Sequence, residues 1–160
     1  MKKVAVLSKL KRSQIEETLK DFKCLLTRYN EVRDNDMLSY RFCSRNRSQL
    51  WDLTSVNYFK TGLKSQKLIE SGGNKVDDHY IQRVKSTKII FELLRENPDM
   101  SVDEFIILVK RYVSTILLAK DEHMKITTYV KKTDKMNYMA YEEVGIVIPG
   151  LKEYVIENQL

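Results

Sequence analysis

The chain has 160 residues, of which 42% are apolar and 31% charged, with a formal net charge of +6. That length supports one domain with a substantial core, and the composition is globular. With only five glycines and two prolines, helical or mixed structure is expected over a sandwich of tight turns. No stretch approaches the roughly 18 uninterrupted apolar residues of a membrane helix, which excludes helix-spanning membrane functions. The opening "MKKVAVLSKLKRSQ" is cut short by Lys9, Lys11 and Arg12, too early for a signal peptide, so a cytoplasmic location is expected. Cys24 and Cys43 form no C-x-x-C pair and are expected to be reduced.

Residues 13–29 place Ile15, Leu19, Phe22, Leu25, Leu26 and Tyr29 on one stripe at helical spacing, and Ser13 with Glu16 has the form of a capping box. Residues 30–48 are polar and broken. "RDND" and "SRNRS" read as loops, with "MLSYRF" a short strand between them. Residues 49–70 interleave Trp51, Tyr58 and Phe59 with Lys60, Lys64 and Lys67, either a surface that stacks bases and holds phosphates or a core rim beside a solvated face. "SGGN" at 71–74 is a clear break. Residues 84–97 form a helix with Val84, Thr87, Ile90 or Phe91, and Leu94 inward, ended by Pro98. "SVDE" at 101–104 is a capping box opening a helix to about Tyr112, with Phe105, Leu108 and Val109 buried. "VSTILLA" at 113–119 has strand character, and Asp121 can cap a helix from Glu122 to Tyr129. "NYMAYEEVGIVIPGL" reads as a short helix stopped by Gly145, followed by an apolar strand or tail.

Charge divides unevenly along the chain. Lys and Arg outnumber Asp and Glu by 16 to 8 in residues 1–75 and are outnumbered 12 to 14 in residues 76–160. A basic front half suggests a polyanionic partner. Both histidines of the chain stand in the back half, in "KVDDHYIQR" and "STILLAKDEHMKI". The first lies on an expected strand, and the second on a helix that follows another strand. Phosphodiester hydrolysis needs an activated water and a cation to neutralise charge on the phosphate. A strand-end imidazole suits the base, because its ordinary pKa lies near neutrality. A neighbouring carboxylate and a second imidazole suit a divalent ion. His79 fits the base, with Asp78 and His123 as the ligands.

"DDHYI" followed by "STILLAKDEHMKI" resembles the two ends of an HNH, or ββα-metal, endonuclease motif over residues 76–126. The resemblance implies His79 as general base, Asp78 and His123 as metal ligands, and Asp77 and Thr115 in support. The family's middle Asn corresponds to Thr115 or Ser114, a hydroxyl that cannot reproduce both arms of an amide. "YMAYEEVGI" resembles the tails of small phage-encoded proteins bearing such motifs.

The expected architecture is therefore α+β: a single, mostly helical domain with a small ββα-metal-like core carrying a helical insertion between its strands. Along the chain this gives a basic, helix-led nucleic-acid-contact region at 1–75, the HNH-like core at 76–130, and a C-terminal helix and tail at 131–160. The expected activity is a metal-dependent endonuclease or nickase using Mg²⁺ or Mn²⁺, with Zn²⁺ or Ni²⁺ as softer choices. DNA is the expected partner, with RNA open. Arg41, Arg45, Arg47, Lys60, Lys64, Lys67, Arg83 and Lys85 are the expected backbone contacts. The alternatives are a non-catalytic nucleic-acid-binding or phage host-takeover protein, and an inhibitor using the aromatic 51–59 stretch as its interface.

Overall fold

A computed structural model describes residues 9–54, 59–135 and 137–158. In chain order the elements are α1 (Lys9–Val32), α2 (Asp36–Thr54), β1 (Lys60–Lys64), α3 (Gln66–Ser71), β2 (Lys75–His79) and α4 (Arg83–Glu96). Then follow α5 (Val102–Val113), β3 (Thr115–Ala119), α6 (Lys120–Thr133), α7 (Tyr138–Glu143) and α8 (Leu151–Glu157). The protein is mostly helical α+β, with one small mixed sheet. Among the described residues no helix is long and apolar enough to cross a membrane.

The chain divides into two compact units, Met1–Phe59 with Arg83–Val113, and Lys60–Gln82 with Ser114–Leu160. These bounds cut across the three regions expected from the sequence. Residues 60–75 belong with the sheet, and the α4–α5 insertion belongs with the N-terminal helices.

In the helical unit, Ile15, Leu19, Phe22 and Tyr29 of the expected α1 stripe are buried, Leu25 and Leu26 pack against them partly buried, and Val32 extends the stripe. Phe91 of α4 stacks on Phe22 at 4.6 Å and on Tyr29 at 4.8 Å between ring centroids. Phe105 and Val109 of α5 complete this core, and Ser101 with Glu104 forms the expected capping box. Three local expectations are corrected here. "MLSYRF" is not a strand and "SRNRS" is not a loop, since both lie inside α2. Ser39, Cys43, Leu50 and Leu53 are spaced by four, seven and three residues, so one helical stripe is buried and the polar residues take its outer side. Ser13 does not cap α1, which is already helical from Lys9. Cys24 is exposed, Cys43 is buried, and they are not joined. Phe59 is fully buried; the side chain of Trp51, and Tyr58 altogether, lie outside the described residues.

The sheet unit has strand order β1-β3-β2, with β3 parallel to β1 and antiparallel to β2. Gly72 and Gly73 deliver the chain into β2 with φ of +64° and +91°, a region that a side chain disfavours. Ile116 and Leu118 of β3 pack with Tyr80, Ile126 of α6 and Tyr141 of α7. The order β2, helical insertion, β3, α6 is the expected one. Two details differ. The N-cap of α6 is Ala119 rather than Asp121, and Glu122 returns to the Ala119 N–H at 3.1 Å. After Gly145 the chain forms no strand or loose tail but the helix α8, which buries Leu151 and Val155.

Candidate functional site

Strand alternation decides the layout of the site. Successive side chains leave opposite faces of a strand, so Asp78 departs from one face of β2, and Asp77 and His79 from the other. The register sets Asp78 opposite Ile116, and His79 opposite Thr115.

Asp78 is the hub of the first face, where Ile116 and Leu118 also point. Its carboxylate is buried, and Tyr141 Oη donates to Oδ2 at 2.5 Å. Asp78 Oδ1 stands 2.9 Å from His123 Nδ1, and the His123 side chain is 35% exposed. Burial, followed by the charge and hydrogen bond of Asp78, pushes the Tyr141 phenol well above its ordinary value, so it remains a donor. In the tautomer with its proton on Nδ1, His123 donates to Asp78 Oδ1.

Once Nδ1 gives up that proton, the same Nδ1–Oδ1 separation suits a cation in its place. Two ligands at adjacent corners of an octahedron, each about 2.1 Å from the ion, lie about 3 Å apart. One hard oxygen and one imidazole nitrogen suit Mg²⁺ or Mn²⁺, and the nitrogen also suits Zn²⁺ or Ni²⁺. Among the described residues no group of three or more Cys, His, Asp or Glu gathers, so Asp78 and His123 would leave most of the coordination to water or substrate.

A second cluster occupies the other face. Lys60 Nζ on β1 reaches across β3 to Asp77 Oδ2 at 2.9 Å, and Thr115 Oγ1 donates to Asp77 Oδ1 at 3.4 Å. Thr61 Oγ1 donates to the Thr115 carbonyl at 2.8 Å, fixing the edge of this row. By register His79 shares the face with Thr115 and Asp77, and it is buried. The five residues assigned to one site from the sequence therefore fall into two groups: Asp78 with His123, and His79 with Asp77 and Thr115.

The expected backbone contacts are also distributed. Arg41, Arg45 and Arg47 are exposed on α2, and Arg83 and Lys85 are exposed on the first turn of α4, all in the helical unit. Lys60, Lys64 and Lys67 belong to the sheet unit. Lys60 is engaged by Asp77, Lys67 pairs with Asp121 at 2.5 Å, and Lys64 is exposed.

Sequence reasoning missed Tyr141, which lies 63 positions from its partner with no spacing to betray the link. It also missed the buried bond from Ser65 Oγ to Glu122, which ties the start of α3 to the start of α6. The S-x-x-hydrophobe run at 65–68 was a usable cap signal, since Ser65 accepts from the Leu68 N–H. No family model matches this chain, and no curated protein or solved structure is significantly similar to it.

Proposed function

We propose that the sheet unit carries a ββα-metal-type site for hydrolysis of nucleic-acid phosphodiester bonds, with DNA as the first substrate class. The observation behind this reading is the approach of Asp78 on β2 and His123 on α6, 45 positions apart, to 2.9 Å across an antiparallel strand pair followed by a helix. A bound divalent ion would supply Lewis-acid polarisation of a phosphoryl oxygen. Asp78 and His123 would hold it, and Tyr141 fixes which Asp78 oxygen faces His123. His79, the group assigned to take a proton from water, is the last residue of β2. A phosphate served by both His79 and the Asp78 pair has to lie around that strand end, because the two side chains leave opposite faces.

That separation also favours a second reading, a nucleic-acid-binding protein that does not cut. Nicking of supercoiled plasmid with Mg²⁺ or Mn²⁺ distinguishes the two. Under the hydrolytic reading the wild type nicks, and His79→Ala slows it by about 10²–10⁴-fold, the usual contribution of a general base, with little change in DNA affinity. Asp78→Asn and His123→Ala should weaken the metal dependence. A wild type that binds DNA and never nicks it establishes the non-cutting reading.

A further inference from the structure

The exposed half of α2 carries cationic and aromatic side chains that take no part in the core of the helical unit. From Met37 to Leu50 the helix holds three arginines and no acid. Arg41 and Arg45 are one helical turn apart, Arg47 lies seven positions from Tyr40, and all four side chains are exposed. Met37, Leu38 and Tyr40 are 63%, 46% and 60% exposed. By helical spacing Met37 and Arg41 lie opposite the buried Ser39–Cys43–Leu50–Leu53 stripe, Tyr40 shares one flank with Arg47, and Leu38 shares the other with Arg45. The arginines differ from others in the chain. Arg12, Arg28, Arg33 and Arg95 each meet a carboxylate, whereas Arg41, Arg45 and Arg47 meet none among the described residues.

We infer that the exposed half of α2 binds single-stranded nucleic acid crossing the helix, with the arginines on phosphates and Tyr40 stacked on a base. The inference rests on the nucleic-acid reading above and names the form of substrate that the protein grips. Charge complementarity selects a polyanion, since three guanidinium groups on adjacent turns lack a counter-charge of their own. The exposed ring selects the single strand. A duplex hides its base faces in the stack, so beside its backbone Tyr40, Met37 and Leu38 would meet only sugar and water. A single strand opens those faces to an aromatic ring and to the flat guanidinium groups.

The test is fluorescence anisotropy of the full-length protein with a labelled oligothymidylate and with a labelled duplex, in EDTA, across salt concentrations. The wild type should bind the single strand more tightly than the duplex. Its log–log salt slope should reflect about −0.7 per phosphate neutralised, so changing Arg41, Arg45 and Arg47 to Gln together should flatten the slope by about 2. Tyr40→Ala should weaken single-strand binding by about tenfold, within the range for one base–aromatic stack. It should leave the slope and the duplex affinity unchanged, and Tyr40→Phe should restore binding. All four positions face solvent, and circular dichroism confirms that the variants fold. Tighter binding to the duplex, or variants that bind as the wild type does, would overturn the inference and leave the hydrolytic site untouched. A wild type that binds phosphatidylserine vesicles but neither oligonucleotide would overturn both readings.

Discussion

Tyr141→Phe removes one oxygen from the sheet unit and leaves the ring that packs beside Ile116, Leu118 and Ile126 in place. The lost hydroxyl donates to a buried carboxylate at 2.5 Å, and hydrogen bonds to charged groups contribute about 1.5–3 kcal/mol. Asp78 Oδ2 would then be buried without that donor, so a destabilisation of about 2 kcal/mol is expected. In urea, where stability falls by about 1–3 kcal/mol per molar, the midpoint should drop by about 1 M. Far-UV circular dichroism is the suitable probe. The single tryptophan, Trp51, lies on α2 in the helical unit, and its fluorescence would follow the wrong part of the chain. The same substitution in an Asp78→Ala background should cost much less, because the acceptor is already gone. For the site, Tyr141→Phe should weaken Mn²⁺ binding by about 10–100-fold, the usual effect of removing a group that orients a metal ligand. An unchanged midpoint, or an equal cost in both backgrounds, would refute the role given to this hydroxyl.

Three further outcomes are expected from the packing. Burial works to raise the Glu92 carboxyl, but hydrogen bonds from Tyr29, Arg33 and Arg95 outweigh it and hold it at about 2. A lowered carboxyl stabilises the fold above its unfolded value of about 4.5 and loses that contribution as pH falls toward 2. Wild type should therefore lose about 1–2 kcal/mol more than Glu92→Gln between pH 5 and pH 2, after allowance for solvent screening; parallel pH–stability curves would contradict this. Ser65→Ala removes both the cap of α3 and a partner of buried Glu122, and should cost about 1–3 kcal/mol in a denaturant titration. Phe91→Ala opens the centre of the stack with Phe22 and Tyr29, and should cost about 3–5 kcal/mol by the same measurement.

What could be read from the sequence follows from how local each signal is. The α1 stripe, the Ser101–Glu104 capping box and the end of α4 before Pro98 are set within a few residues, and the structure has each of them. The α2 helix was misread because Arg41, Arg45, Arg47 and Ser48 dominate the local composition. Its buried positions are sparse, and one of them is the small polar Ser39. The strand β1 carries Gly62 and three polar residues among its five, and it is held in place by pairing with β3 some 50 positions away. Nothing near it in sequence announces a strand. The division into two units was equally hidden, since each is assembled from separated segments of chain.

The Asp-His dipeptide shows where motif reading and physics part. On paper Asp78 and His79 are neighbours, and a motif treats them as one site. On a strand, adjacency means the opposite: the pleat sends them to different faces, and each is completed by residues remote in sequence. Asp78 gains His123 and Tyr141, whereas His79 shares its face with Thr115, Asp77 and the Lys60 ion pair. A small ion held by Asp78 and His123 cannot also be held by His79 through the strand. Under the proposed hydrolytic reading the two faces would act on one phosphate only where β2 ends and the backbone stops separating them, and His79 is the residue at that end. Under that reading the position of His79 in the strand, more than its identity, would let one substrate meet both clusters.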